Sequence, residues 1–122
     1  VLKETPTVTF ASVNSGFNHL IRPMFYDAYH KIQNLSNPTG NKKFYAIVGN
    51  ICETDTFAWN REMNEIREGD LLVFKNAGAY GFEMASNFNS RLRPAEVLVE
   101  NGEARLVRKR ENLEDLIRLQ VY

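Results

Sequence analysis

The sequence predicts a mainly β domain, a Greek-key β-barrel or sandwich-like fold with a short carboxy-terminal helix. Three observations point there. Short runs rich in β-branched and aromatic residues recur along the chain, among them "TVTFASV" and "KFYAIV". Turn chemistry separates them, most clearly Asn101-Gly102 between two strand-like runs. A helical period of apolar residues is confined to the tail, "ENLEDLIRLQ".

The strand pattern opens at Val1, in "VLKETPTVTFASV", with no initiator methionine, so the chain is expected to be a piece of a longer protein. Thr7–Val13 carries the β-branched and aromatic residues of a strand, and "NSGFN" ends it. In "HLIRPMFYDAYHKI", Pro23 bars a regular helix through the middle and pushes Arg22 towards extended backbone. A helical turn near Phe17–Ile21 and a strand from about Phe25 to Ile32 are expected on that ground. "QNLSNPTGNKK" is a polar loop and "KFYAIVGN" a buried strand. A turn at Glu68–Asp70 precedes a strand over Leu71–Phe74. "PAEVLVENGEARLVRKR" reads as a hairpin whose Asn101-Gly102 suits a type I′ turn, because both residues tolerate positive φ. Asn112 is placed to cap the last helix, with Asp115 three residues on. Leu113, Leu116, Ile117 and Leu119 make its apolar face.

With 122 residues the chain suits one domain, 1–122, with a modest core. Fifteen basic residues balance fifteen acidic ones. That balance gives no electrostatic footing for nucleic acid or an anionic membrane surface. No apolar run approaches the ~20 residues of a membrane-spanning helix. A single cysteine rules out an internal disulfide and suits a reducing, cytoplasmic compartment. His19 and His30, eleven positions apart, do not make a metal site with it. Both are read as structural.

Three places hold residues with chemical potential. Cys52 sits where the strand "KFYAIVGN" runs out, directly before Glu53. A lone cysteine is commonly a small buried hydrophobe. The adjacent carboxylate belongs in water or at a polar site, and a negative charge next door is expected to favour a protonated acid over a thiolate nucleophile. Next, Gly78 and Gly81 flank Ala79-Tyr80. Small residues let a ligand approach the backbone, and the tyrosine hydroxyl can donate to an anion such as phosphate; equally, the ring can plug the core. Last, Arg22 and Tyr26 lie four apart around Pro23. Guanidinium and phenol together can grip a carboxylate, or they are a surface arginine beside a packing aromatic.

Their order along the chain matters more than any one of them. "NSGFNHLIRPMFYDAYHKI", then "GNICETDTFA", then "GDLLVFKNAGAYGFEMASNFNSRLRPAEVLV" closely resembles the carboxy-terminal part of the diaminopimelate decarboxylase family. That family belongs to the alanine racemase-like group of pyridoxal-phosphate enzymes, which join a (β/α)8 barrel to a β domain. The resemblance runs from about Val1 to Leu119. It implies that this chain is the β domain. The barrel, with its cofactor-binding lysine and glycine-rich phosphate loop, is absent from it.

The resemblance also implies roles. The Cys-Glu pair would reach across a homodimer interface into the partner's active site, where Cys52 handles a proton and Glu53 binds the far ammonium of the substrate. Arg22 and Tyr26 would hold the distal carboxylate. Tyr80 would close over cofactor and substrate from its own chain. The expected reaction is the pyridoxal 5'-phosphate-dependent conversion of meso-2,6-diaminopimelate to L-lysine and carbon dioxide, with the fragment alone inactive. The alternatives are a related ornithine, arginine or carboxynorspermidine decarboxylase, and a stand-alone β-barrel interaction module. Ornithine-type relatives typically carry aspartate after the cysteine, where this chain has Glu53. One departure stands out. The family usually reads Cys-Glu-Ser-Gly-Asp, and here Cys52-Glu53 is followed by Thr54-Asp55-Thr56. The family aspartate's hydrogen bonds are expected to fall to Asp55 or Thr56.

Overall fold

In the computed structural model, which describes residues 1–52 and 54–121, a four-stranded sheet carries the core. β1 (Leu2–Glu4) pairs antiparallel with β2 (Thr9–Ser12), β2 runs parallel to β4 (Lys42–Val48), and β4 pairs antiparallel with β5 (Thr56–Asn64). β4 holds the centre because its apolar run is covered on both sides. Tyr45, Ala46 and Ile47 are buried, Ile47 completely. The Tyr45 hydroxyl accepts the Ile66 N–H at 3.0 Å, so its polar atom is satisfied inside the core. β3 (Ile32–Asn34) and β6 (Leu72–Phe74) form a second, two-stranded sheet. Ile32 joins the core cluster, and Phe74 packs edge-on against Phe57 with ring centroids 4.8 Å apart, which binds the two sheets together.

β5 is the longest strand and has the least strand-like sequence. Between the pairs Tyr45↔Arg61 and Ile47↔Ala58, and again between Ile47↔Ala58 and Val48↔Thr56, β5 carries one more residue than β4. Asn60, in the first of these bulges, has φ of 48°. Each bulge shifts the inward-outward alternation by one. Phe57 and Ala58 are both buried as a result, and Trp59 and Asn60 both exposed.

Pro23 does the opposite of what its position in the sequence suggests. It sits in the first turn of α1 (Arg22–Tyr26), where a missing N–H leaves no helical bond unmade. The N–H groups of Met24 and Phe25 both bond to the Ile21 carbonyl. The strand expected over Phe25–Ile32 is therefore corrected: α1 occupies its first residues and ends on Asp27 at φ 53°, and β3 begins at Ile32. The expected turn near Phe17 is present, held by His19 and Leu20 N–H groups on the Gly16 carbonyl. After β6 come the short helix α2 (Gly78–Gly81) and a 3-10 turn at Phe88–Ser90.

The hairpin of β7 (Glu96–Glu100) and β8 (Glu103–Arg108) forms a third sheet, closed by Asn101 at φ 52° and Gly102 at φ 81°. The helix α3 (Leu113–Ile117) begins with the expected capping box: Asn112 accepts the Asp115 N–H, and Asp115 accepts the Asn112 N–H. The mainly β class holds. Among the described residues the strands make three open sheets, not one closed barrel.

Candidate active-site residues

The cysteine loop is built from its ends. Gly49 donates its N–H to the Asp55 carbonyl at 2.7 Å, closing the loop at its neck. The Asp55 carboxylate turns inward, is nearly fully buried, and accepts the Ile51 N–H at 2.9 Å and the Phe17 N–H at 2.6 Å. Asn50 N–H adds a bond to the Ser15 carbonyl at 3.1 Å. Ile51 is buried, and Cys52 beside it is exposed. The thiol is therefore not a buried hydrophobe of this domain's own core. Of the two residues expected to take over the family aspartate's bonds, Asp55 is the one seen accepting backbone N–H groups. Glu53 lies outside the described residues.

Asn89 was not foreseen from sequence. Its side-chain amide donates to Cys52 Sγ, 3.6 Å away. Asn89 and Ser90 both have positive φ, 57° and 56°. The signal for such a turn is the polar cluster "SNFNS", because asparagine tolerates left-handed backbone better than most residues. The segment bearing Asn89 is moored at Glu111. That carboxylate accepts from the Asn87 amide at 2.6 Å, from the Arg93 N–H at 2.7 Å and from the Arg93 guanidinium at 2.6 Å. Burial alone would push the Glu111 carboxyl up, but Arg93 and Asn87 together more than reverse this and hold it at about 2.

Arg22 and Tyr80 meet in space although 58 positions separate them. The guanidinium carbon of Arg22 lies 5.0 Å from the centre of the Tyr80 ring, a cation–π contact. Tyr80 is 52% exposed, so it does not plug the core. A Cβ at Gly78 or Gly81 would meet nothing within 4 Å. Tyr26, exposed at the end of α1, packs edge-on against Phe25. The contacts thus divide the candidates into two sets, Arg22 with Tyr80 and Cys52 with Asn89. An open apolar groove of about 230 Å³ lined by Phe17, Ile21, Met24, Phe25 and Thr54 runs between α1 and the cysteine loop.

The histidines hold segments together. His19 contacts Ser15 Oγ at 2.9 Å and the Leu92 carbonyl at 3.0 Å, and His30 contacts the Lys75 carbonyl at 2.9 Å. Among the described residues no cluster of metal-ligating side chains occurs, and no helix is long and apolar enough to cross a membrane.

Residues 1–78 match the model of the pyridoxal-dependent decarboxylase C-terminal sheet domain. The chain belongs to this family. It is 49% identical over 113 residues to a diaminopimelate decarboxylase of Methanothermobacter thermautotrophicus, covering 91% of this chain and 26% of that protein. With the enzyme of that name from Campylobacter jejuni it shares 44% identity over 119 residues, covering 97% of this chain and 29% of the relative. The crystal structure of diaminopimelate decarboxylase from M. jannaschii in co-complex with L-lysine superposes with a TM-score of 0.92 at 37% identity. That match covers 100% of this chain and 28% of the neighbour. The chain spans little more than a quarter of the length of these relatives.

Proposed function

We propose that this chain is the carboxy-terminal domain of a diaminopimelate decarboxylase, a carboxy-lyase that forms L-lysine and carbon dioxide from meso-2,6-diaminopimelate in the cytoplasm. In this reading residues 1–122 form one domain that works joined to a (β/α)8 barrel, within a homodimer whose active sites are shared. The observation that carries the reading is the Arg22–Tyr80 contact. It brings a guanidinium beside a half-exposed phenol, the two groups to which the resemblance assigns the grip on a distal carboxylate and the cover over the cofactor. The names and identities of the relatives support the same substrate. The Phe57–Phe74 packing across two sheets is consistent with a Greek-key sandwich for the whole domain.

When bound, pyridoxal phosphate supplies the electron sink that makes loss of carbon dioxide possible. Of this chain's residues, Tyr80 would hold it, through its hydroxyl. Arg22 and Tyr26 bind the distal carboxylate of the substrate. Glu53 binds the distal ammonium, and together these groups recognise a zwitterionic far end that simple diamines and their precursors lack. The Sγ–H of Cys52, in the partner's site, gives its proton to the carbon that has lost carbon dioxide. The Asn89 amide, donating to the same sulfur, stabilises the thiolate left behind.

The test is activity of the full-length protein on diaminopimelate, ornithine, arginine and carboxynorspermidine, beside the isolated chain. Turnover of diaminopimelate by the full-length protein alone is expected. The isolated chain should neither turn over substrate nor bind the cofactor tightly, since one phenolic hydrogen bond of about 1 kcal/mol does not offset the cost of association. Preference for ornithine, or turnover by the isolated chain, would refute the reading.

A further inference from the structure

A buried carboxylate is costly unless its oxygens find donors, and an apolar residue of similar size is often the more stable choice at such a place. Asp55 is 6% exposed, and its two oxygens accept N–H groups from two separate segments, Ile51 on the cysteine loop and Phe17 on the turn that leads into α1. Its own carbonyl takes the Gly49 N–H at the neck of the loop. Gly49 is matched to this arrangement, because a Cβ there would collide with Asp55 Oδ2. Gly16, on the facing turn, is likewise crowded by the side chain of Ile51. Cys52 is exposed, and besides the Asn89 amide at Sγ its position is set by the backbone on either side of it, which Asp55 grips at Ile51 and at Gly49.

We propose that Asp55 is the positioning residue for the Cys52 thiol: its carboxylate clasps the cysteine loop to the Phe17 turn, so that Sγ arrives in the partner's active site at a fixed height and angle. The clasp rests on the reading of Cys52 as the proton donor given above. Charge-assisted bonds suit the task, because they hold two segments that share no strand ladder. Displacement of a reacting group by about 1 Å costs on the order of 10²-fold in rate.

The experiment uses the full-length dimer with two substitutions. Asp55→Asn replaces one acceptor oxygen with an NH₂ group. Gly49→Ala keeps the carboxylate but crowds it away from the Ile51 N–H, and so reads the same clasp if Asp55→Asn folds poorly. Each folded variant is expected to lose about 100-fold in kcat, a loss at least tenfold larger than any rise in KM that the Glu53 carboxylate on the same loop brings with it. Each variant is then mixed with subunits lacking the barrel lysine. Random reassociation should restore up to about a quarter of wild-type activity, because half the dimers are mixed and one of their two sites is intact. A kcat within threefold of wild type in both folded variants, or a KM rise with kcat kept, overturns the proposal. So does failure of the Asp55→Asn mixture to recover while a Cys52→Ala mixture does, since Asp55 would then serve its own chain's site. If the Cys52→Ala mixture also fails, the cross-subunit placement of Cys52 is what has failed, and Asp55 is judged on the kcat losses alone.

Discussion

The two ends of this chain bury themselves in opposite ways. The amino-terminal part packs onto itself: β4 and β5 contribute Tyr45, Ile47, Phe57, Ala58 and Met63 to one cluster with Ala11, Leu20 and Ile32. The carboxy-terminal part has regular elements without a core. Every residue of β8 is exposed, α3 has no buried residue, and Val99, Leu106, Leu113 and Leu119 lie open to solvent. A hairpin and a one-turn helix of this size are marginal alone. What fixes them here is polar, the Glu111–Arg93 mooring and the Asn112 capping box. Apolar surface of that extent on a folded domain marks a face that meets other protein. Of the apolar residues near α1 and the segment after α2, Phe25 and Phe88 are exposed, Phe17, Phe82 and Met84 are half-buried, and Met24 packs against the core.

The largest effect that breaks this comparison is expected in the first region. Ile47 has no exposed surface. Ile47→Ala should cost about 3–4 kcal/mol of stability, from lost burial and the cavity left behind. Urea unfolding of the isolated chain measures it. A loss below about 1 kcal/mol would show that β4 is not the anchor of the fold.

The contrast between the regions also explains what the sequence disclosed. The hairpin and the capped helix are local: Asn101-Gly102 and the Asn112–Asp115 pair each encode their geometry within a few residues, so they are legible even though nothing packs on them. The core region is where local signals fail. Pro23 is read from its neighbours as a breaker, yet it stands in the first turn of a helix, a place that proline suits. β5 is hidden because two bulges scramble its alternation, and they exist only through its pairing with β4. Among candidate site residues, Cys52, Arg22, Tyr26 and Tyr80 were marked by chemistry and resemblance. The Arg22–Tyr80 contact and the Asn89 approach to Cys52 join residues far apart in sequence, and no spacing rule announces them.

A second, smaller effect separates the polar mooring from the apolar core. Glu111 has its carboxyl held at about 2, well below the ordinary value of 4.5. Its folded pKa is depressed, so the stabilisation is fully present above about pH 4.5 and is lost as pH falls towards 2. Allowing for solvent screening around Arg93, which is 33% exposed, this amounts to about 2 kcal/mol. Glu111→Gln should remove it near neutral pH and flatten the acid limb of the stability curve. The decisive readout is regional. Amide exchange should quicken in residues 87–93 and in the β7–β8 hairpin while β4 stays protected. Equal acid sensitivity in wild type and variant would place the acid-labile carboxylate elsewhere.

The smallest effect is the sharpest test of why the carboxy-terminal face is apolar. Val99 is 68% exposed in a strand that, among the described residues, pairs only with its hairpin partner. In the isolated chain Val99→Ser should change stability by no more than about 0.5 kcal/mol, the range of an ordinary surface substitution. In the full-length protein the same side chain is expected to be covered, and deleting its apolar area should then cost about 1–2 kcal/mol. The measurement is a pair of melting curves, one for each form of the protein. A larger shift in the full-length form identifies the hairpin face as buried surface of the assembled enzyme. Equal small shifts would show that β7 and β8 stay in water there too, and that their apolar residues serve only the pairing of the hairpin itself.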